Sequence, residues 1–165
     1  MHVAEHTGDP RISWGRTDTF RPAPTLHHRR DGILPTTASA LTTDGETLTS
    51  TASRSELPPA HHPLVQEVLD GLDPADRTRH AGRCPEALLL TRCLTAADEA
   101  RSRRAARKPL TPAEARRALK GARLTTRHLR EEGDPLHGSY APPCRSCSAL
   151  LDHFGVRAVD PSTAT

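Results

Sequence analysis

Apolar residues change their spacing several times along the chain, and each change marks an element. Residues 33–42 and 46–53 are rich in β-branched and small side chains, with Asp44-Gly45 between them, a pattern that predicts a β-hairpin. From 62 to 72, Leu64, Val65, Val68, Leu69 and Leu72 recur at helical spacing, and Gly71 and Pro74 stop the run. After a polar turn, Ala87-Leu88-Leu89-Leu90 opens a second helix, expected to continue through Leu94 to about residue 106. Thr111-Pro112-Ala113-Glu114 carries an N-cap, a first-turn proline and a capping box, so a short helix should run to about Lys120 and end at Gly121.

Residues 122–130 form the third strand candidate, with Leu124, Thr126 and His128 on one face. A loop over 131–140 then delivers the chain to a second polar turn. The helix after it carries Leu150, Leu151 and Phe154 and stops at Gly155, and residues 156–159 make a last short strand. A hairpin followed by alternating helices and strands predicts an α/β sandwich of mixed strand direction. Residues 1–30 show no apolar periodicity and read as a flexible N-terminal segment, docked if at all by Trp14 and Phe20. That leaves one domain over 31–160 and a frayed tail over 161–165.

Composition adds a thin core. Of 165 residues, 35 % are hydrophobic and 15 are proline, and the aromatics are Trp14, Phe20, Tyr140 and Phe154. Metal ligation would then add stability as well as chemistry. The formal charge of +3 is too small to argue for a nucleic-acid partner on its own. Arginine far outnumbers lysine, which reads as a GC-rich coding bias and a bacterial source. The first residues lack the pattern of a signal peptide and no run reaches transmembrane length, so a cytoplasmic location without membrane contact is expected. In a reducing compartment, the cysteines favour metal over disulfides.

The two polar turns carry the chemistry. Arg83-Cys84-Pro85-Glu86 precedes one helix, and Pro142-Pro143-Cys144-Arg145-Ser146-Cys147 precedes another. Cysteines at i and i+3 in a first helical turn lie on one face, and a helix N-terminus favours thiolates. Pro85 and Pro143 suit such starts. Cys84, Cys144 and Cys147 are therefore the expected Zn²⁺ ligands, with Glu86 as a non-ligating proton shuttle. Three protein ligands leave one tetrahedral position open, as catalysis requires. A redox role for Cys144 and Cys147 would leave Cys84-Pro85-Glu86 unexplained. A structural site would need Cys93 or His80 as fourth ligand. Cys93 is expected to pack in the core, and His80 to be solvated like His61 and His62. Arg101, Arg103, Arg104, Arg107 and Lys108 read as a solvated helix end, with a phosphate-facing patch as the alternative.

These motifs resemble the cytidine-deaminase-like superfamily, and within it the YwqJ-related branch. The resemblance runs from about residue 26 to 159, on Arg30-Asp31-Gly32-Ile33-Leu34-Pro35, Gly82-Arg83-Cys84-Pro85-Glu86, Arg130-Glu131-Glu132-Gly133-Asp134-Pro135 and Pro143-Cys144-Arg145-Ser146-Cys147-Ser148-Ala149-Leu150-Leu151-Asp152. It implies a three-layer α/β/α sandwich around a mixed sheet and hydrolytic removal of an exocyclic amine from a base. It also places Cys84, Cys144 and Cys147 at zinc positions and Glu86 at the shuttle position. Pro85 stands where members often carry alanine, and few residues follow the fourth strand where many members have a fifth. The expected substrate is a base-containing small molecule or a single-stranded nucleic acid, with His137 and Tyr140 as candidate contacts. The alternative is a non-catalytic, zinc-stabilised interaction module of the same fold.

Overall fold

Positive φ angles at Asp44 (28°) and Gly45 (91°) fold the chain back on itself, the backbone pairing that a two-residue hairpin turn requires. In this computed structural model, which describes residues 37–163, that turn joins β1 (Thr37–Thr43) to β2 (Glu46–Thr51) in antiparallel register. The expected N-terminal segment, with Trp14, Phe20 and the motif at residues 30–35, lies outside the described residues.

Helix α1 (Pro63–Asp70) follows, then α2 (Pro85–Glu99), a short 3₁₀ turn (Ala105–Arg107), α3 (Pro112–Ala118), β3 (Arg123–His128), α4 (Arg145–Phe154) and β4 (Arg157–Ala158). The sheet order is β2-β1-β3-β4, with β3 antiparallel to β1 and parallel to β4. The result is a mixed sheet in an α/β fold, in the element order expected from the sequence.

One face of the two central strands is buried: Leu41 pairs with Leu124 across β1 and β3, and Ser39 pairs with Thr126 two residues along. Val65 of α1, Leu89, Leu90 and Leu94 of α2, Leu119 next to α3, and Leu150 and Phe154 of α4 complete a single core cluster, each almost without exposed surface. Burying a side chain of this size stabilises by ~1.5–3 kcal/mol, so these few positions hold the sheet and helices together. No helix among the described residues is long and apolar enough to cross a membrane.

Helix α2 ends at Glu99, short of the expected residue 106. The reason is Arg101. Its guanidinium turns back to the Asp98 carboxylate (2.7 Å) and donates to the carbonyls of Ala105 and Lys108, so the chain wraps around it instead of continuing as helix. The capping box at Thr111 and Glu114 forms as its sequence predicts. His61 and His62 are not solvated loop residues. His62 is buried and its Nδ1 accepts the Leu64 N–H at the start of α1, while His61 Nδ1 lies 2.9 Å from Thr91 Oγ1.

Candidate metal centre

Cys84 and Cys144 are each the N-cap of a helix, α2 and α4. Pro85 fills the first position of α2, where no helical hydrogen bond is lost. Pro143 instead precedes the cap of α4 and, by its restricted backbone, sets the entry into it. Cys147 stands one turn on from Cys144, buried, on the same face.

Folding brings the two helix starts together at the ends of the central strands. Past His128, residues 129–139 fold back alongside β3: His128 N–H donates to the Ser139 carbonyl, Arg127 bridges to Tyr140, and Ala141 N–H donates to the Thr126 carbonyl. This return path carries the chain directly into Cys144. Ahead of α2, the Arg83 guanidinium donates to the carbonyls of Ser55 and Glu56, and its own carbonyl accepts the Ser53 N–H. Gly82 must be glycine here. Its φ is +83°, and a Cβ would sit 2.9 Å from His61 Nε2.

The sulfurs of Cys84, Cys144 and Cys147 all lie within 4.8 Å of one another, and among the described residues neither Cys93 nor His80 joins them. Cys93 packs half-buried against the core, as expected from its place along α2. Thiolates on a tetrahedral zinc, each at about 2.3 Å, would stand roughly 3.8 Å apart. The Cys84–Cys144 separation is 3.7 Å, so that pair is spaced for such an ion. These residues fit a metal ion.

Electrostatics point the same way. Cys144 is held far below the ordinary thiol range by its hydrogen bonds with the neighbouring Cys147 and Cys84 sulfurs. Cys84 and Cys147 are pushed up, each by its hydrogen bond to Cys144 and by burial. Sulfurs this close to one another, and buried, resist ionising together. A divalent cation held there would reverse that balance and favour the thiolate form of each.

Glu86, in the first turn of α2, is 3 % exposed. Its Oε1 accepts from Thr126 Oγ1 at 3.0 Å, and its Oε2 lies 3.6 Å from Cys147 Sγ. Burial raises its pKa above the usual carboxylate range, against hydrogen bonds from its own backbone N–H and from Thr126. Tyr140 is half-buried, and its phenol pKa is raised by burial and by the charges of Asp160 and Glu86. His137 is exposed, and its Nδ1 accepts the Arg130 N–H, bracing the loop.

Four polar residues had no mark in the motifs. Thr126 and Ser39 line the sheet beneath Glu86, their hydroxyls 2.6 Å apart. Ser146, the spacer between the two cysteines of α4, accepts the Thr78 N–H and donates to the Asp76 carbonyl, and Thr78 Oγ1 lies 3.9 Å from Cys144 Sγ. The available signal was polar residues at inward positions: Ser39 and Thr126 alternate with Leu41 and Leu124 on the buried face.

A mixed α/β sheet that brings two helix N-termini, three cysteines and a buried glutamate to one point is the arrangement of a deaminase-type protein. A family model described as YwqJ-like deaminase matches residues 22–156, and the chain belongs to that family. Comparison with curated proteins and with solved structures gave no match.

Proposed function

We propose that this protein is a zinc-dependent hydrolytic deaminase acting on a base-containing small molecule: a free base, nucleoside or nucleotide. The observation that carries the reading is the buried Glu86 carboxylate beside a three-cysteine cluster, in a chain of a deaminase family. Cys84, Cys144 and Cys147 would hold the ion. Zinc, when bound, supplies Lewis acidity that makes water a usable nucleophile near neutral pH.

The rest is done by the chain. Glu86 takes a proton from the attacking water at its sulfur-facing Oε2 and passes it to the ring nitrogen. It then carries the second proton to the departing amine, so that the amine leaves as ammonia and the ring keeps a carbonyl. A carboxyl whose pKa is raised by burial suits both directions of transfer near neutral pH. Tyr140, half-buried with Glu86 among the charges acting on it, is the candidate platform for the base. His137 braces that loop by accepting the Arg130 N–H at its Nδ1.

The arginine run supports the small-molecule reading. A helix of 15 residues is about 22 Å long, and α2 carries Cys84 at its start and Arg101 just beyond its end. Arg101 is also engaged with Asp98 and two carbonyls. A phosphate track there would lie far from the cysteines.

The test is ammonia release by the zinc-loaded protein from cytosine-, adenine- and guanine-type bases and nucleosides, beside single-stranded DNA and RNA. Glu86→Gln should retain zinc and lose turnover by ~10²-fold or more. Undiminished release by that variant would remove the mechanism. Activity confined to single strands and falling steeply with salt would overturn the substrate preference. A fourth protein sulfur or nitrogen on the metal, seen by X-ray absorption, would favour the interaction module instead.

A further inference from the structure

We infer that Ser39 and Thr126 are positioning residues for Glu86: their hydroxyls form a buried chain that fixes one carboxylate oxygen and leaves the other, Oε2, as the oxygen that carries protons. The inference rests on the deaminase reading for its purpose, but its geometry stands on the sheet. Ser39 and Thr126 are partners across β1 and β3, so the hydrogen-bonded strand pair sets their separation. Both are nearly fully buried, at 3 % and 1 % exposed.

The direction of the chain follows from proton counting. Thr126 has one hydroxyl proton and donates it to Glu86 Oε1 at 3.0 Å. At 2.6 Å from Thr126 Oγ1, Ser39 must then be the donor to it. Donation from Ser39 polarises the Thr126 hydroxyl and strengthens its bond to the carboxylate. A carboxylate held only through its own helix could rotate about its last torsion and exchange its two oxygens. With Oε1 tied to the sheet, rotation is blocked and Oε2 stays on the cysteine side, 3.6 Å from Cys147 Sγ.

Their side-chain hydrogen bonds run to each other and to Glu86, and neither belongs to the sulfur cluster, which separates this role from that of a metal ligand. Two hydroxyls on the buried face of central strands would otherwise be a poor use of core positions, where Leu41 and Leu124 occupy the next inward sites.

The experiment compares zinc-loaded wild type with Thr126→Val, Thr126→Ser and Ser39→Ala. The first readout needs no substrate: the side-chain carboxyl ¹³C resonance of Glu86 in protein labelled at glutamate, assigned by its loss in Glu86→Gln. Thr126→Val should move that resonance, Thr126→Ser should restore it, and Ser39→Ala should move it less in the same direction. The second readout is ammonia release from cytidine and adenosine. There Thr126→Val should lower kcat by about tenfold, part of the ~10²–10⁴ that acid–base catalysis contributes, with KM nearly unchanged.

A resonance that ignores Thr126→Val, or that moves equally in the Val and Ser variants, overturns the inference. If Thr126→Val does not fold, Ser39→Ala decides alone, because it deletes one hydroxyl and adds no bulk, and an unmoved resonance there overturns the chain. Absence of ammonia from wild type would count against the deaminase reading, while the resonance would still judge the positioning role.

Discussion

Ser146→Ala tests how the centre is walled. Ser146 has no exposed surface, and its hydroxyl is shared by the turn that precedes α2. It accepts the Thr78 N–H at 2.8 Å, donates to the Asp76 carbonyl at 2.7 Å and lies 3.1 Å from Thr78 Oγ1. Alanine removes these bonds without leaving a large cavity. Each neutral hydrogen bond contributes ~0.5–1.5 kcal/mol net, and a stranded buried partner costs more. Asp76 and Thr78 are half-exposed, so water can recover part of the loss. A destabilisation of about 2 kcal/mol follows, near 4–8 °C in Tm for a chain of this length.

The variant should also release zinc faster, because Thr78 Oγ1 would no longer be held 3.9 Å from Cys144 Sγ, where its hydroxyl can donate to a thiolate. The assay is thermal unfolding of zinc-loaded protein by circular dichroism, with metal release followed by a colorimetric chelator. Thr78→Val keeps the backbone bond and should weaken metal retention with the smaller loss of stability. A Tm within about 1 °C of wild type, with unchanged zinc release, would show that Ser146 is a spacer and nothing more.

Two other outcomes are expected from the same physics. Gly82→Ala meets both an unfavourable positive φ and the His61 ring at 2.9 Å, so it should destabilise by ~1–3 kcal/mol in thermal melts; a Tm equal to wild type would refute the close approach. Glu114, whose pKa is lowered first by the Thr111 backbone N–H, contributes stability above the ordinary glutamate pKa of 4.5 and loses it as pH falls through its folded value. The Tm gap between wild type and Glu114→Gln should therefore be present at pH 7 and close below pH 4.5; a gap independent of pH would mean the charge plays no part.

What the sequence determined by itself was set by near neighbours. The hairpin turn at Asp44-Gly45, the capping box at Thr111 and Glu114, and the stop at Gly155 are local backbone chemistry, and each forms where its residues stand. The i, i+3 spacing of Cys144 and Cys147 is likewise a property of one helical turn. Motif chemistry also points to their meeting with Cys84, and the three sulfurs lie within 4.8 Å of one another.

Tertiary structure decided the rest: some partners are far apart in the chain and carry no shared pattern, and others stand close in sequence but meet only once the loop between them has folded. Ser39 and Thr126 are 87 positions apart and become neighbours only when β1 and β3 pair. Thr78 and Ser146 are 68 apart, and a spacer serine in a Cys-x-x-Cys run gives no sign of the turn it will hold. His62 reads as a loop histidine until its ring is seen buried at the start of α1. Helix α2 is helical by propensity past Glu99, yet Arg101 ends it by bonding three groups that only the folded loop brings within reach. Local propensity offers many such segments and side chains equally, and burial selects among them, since a polar group withdrawn from water must find its partner wherever the fold places one.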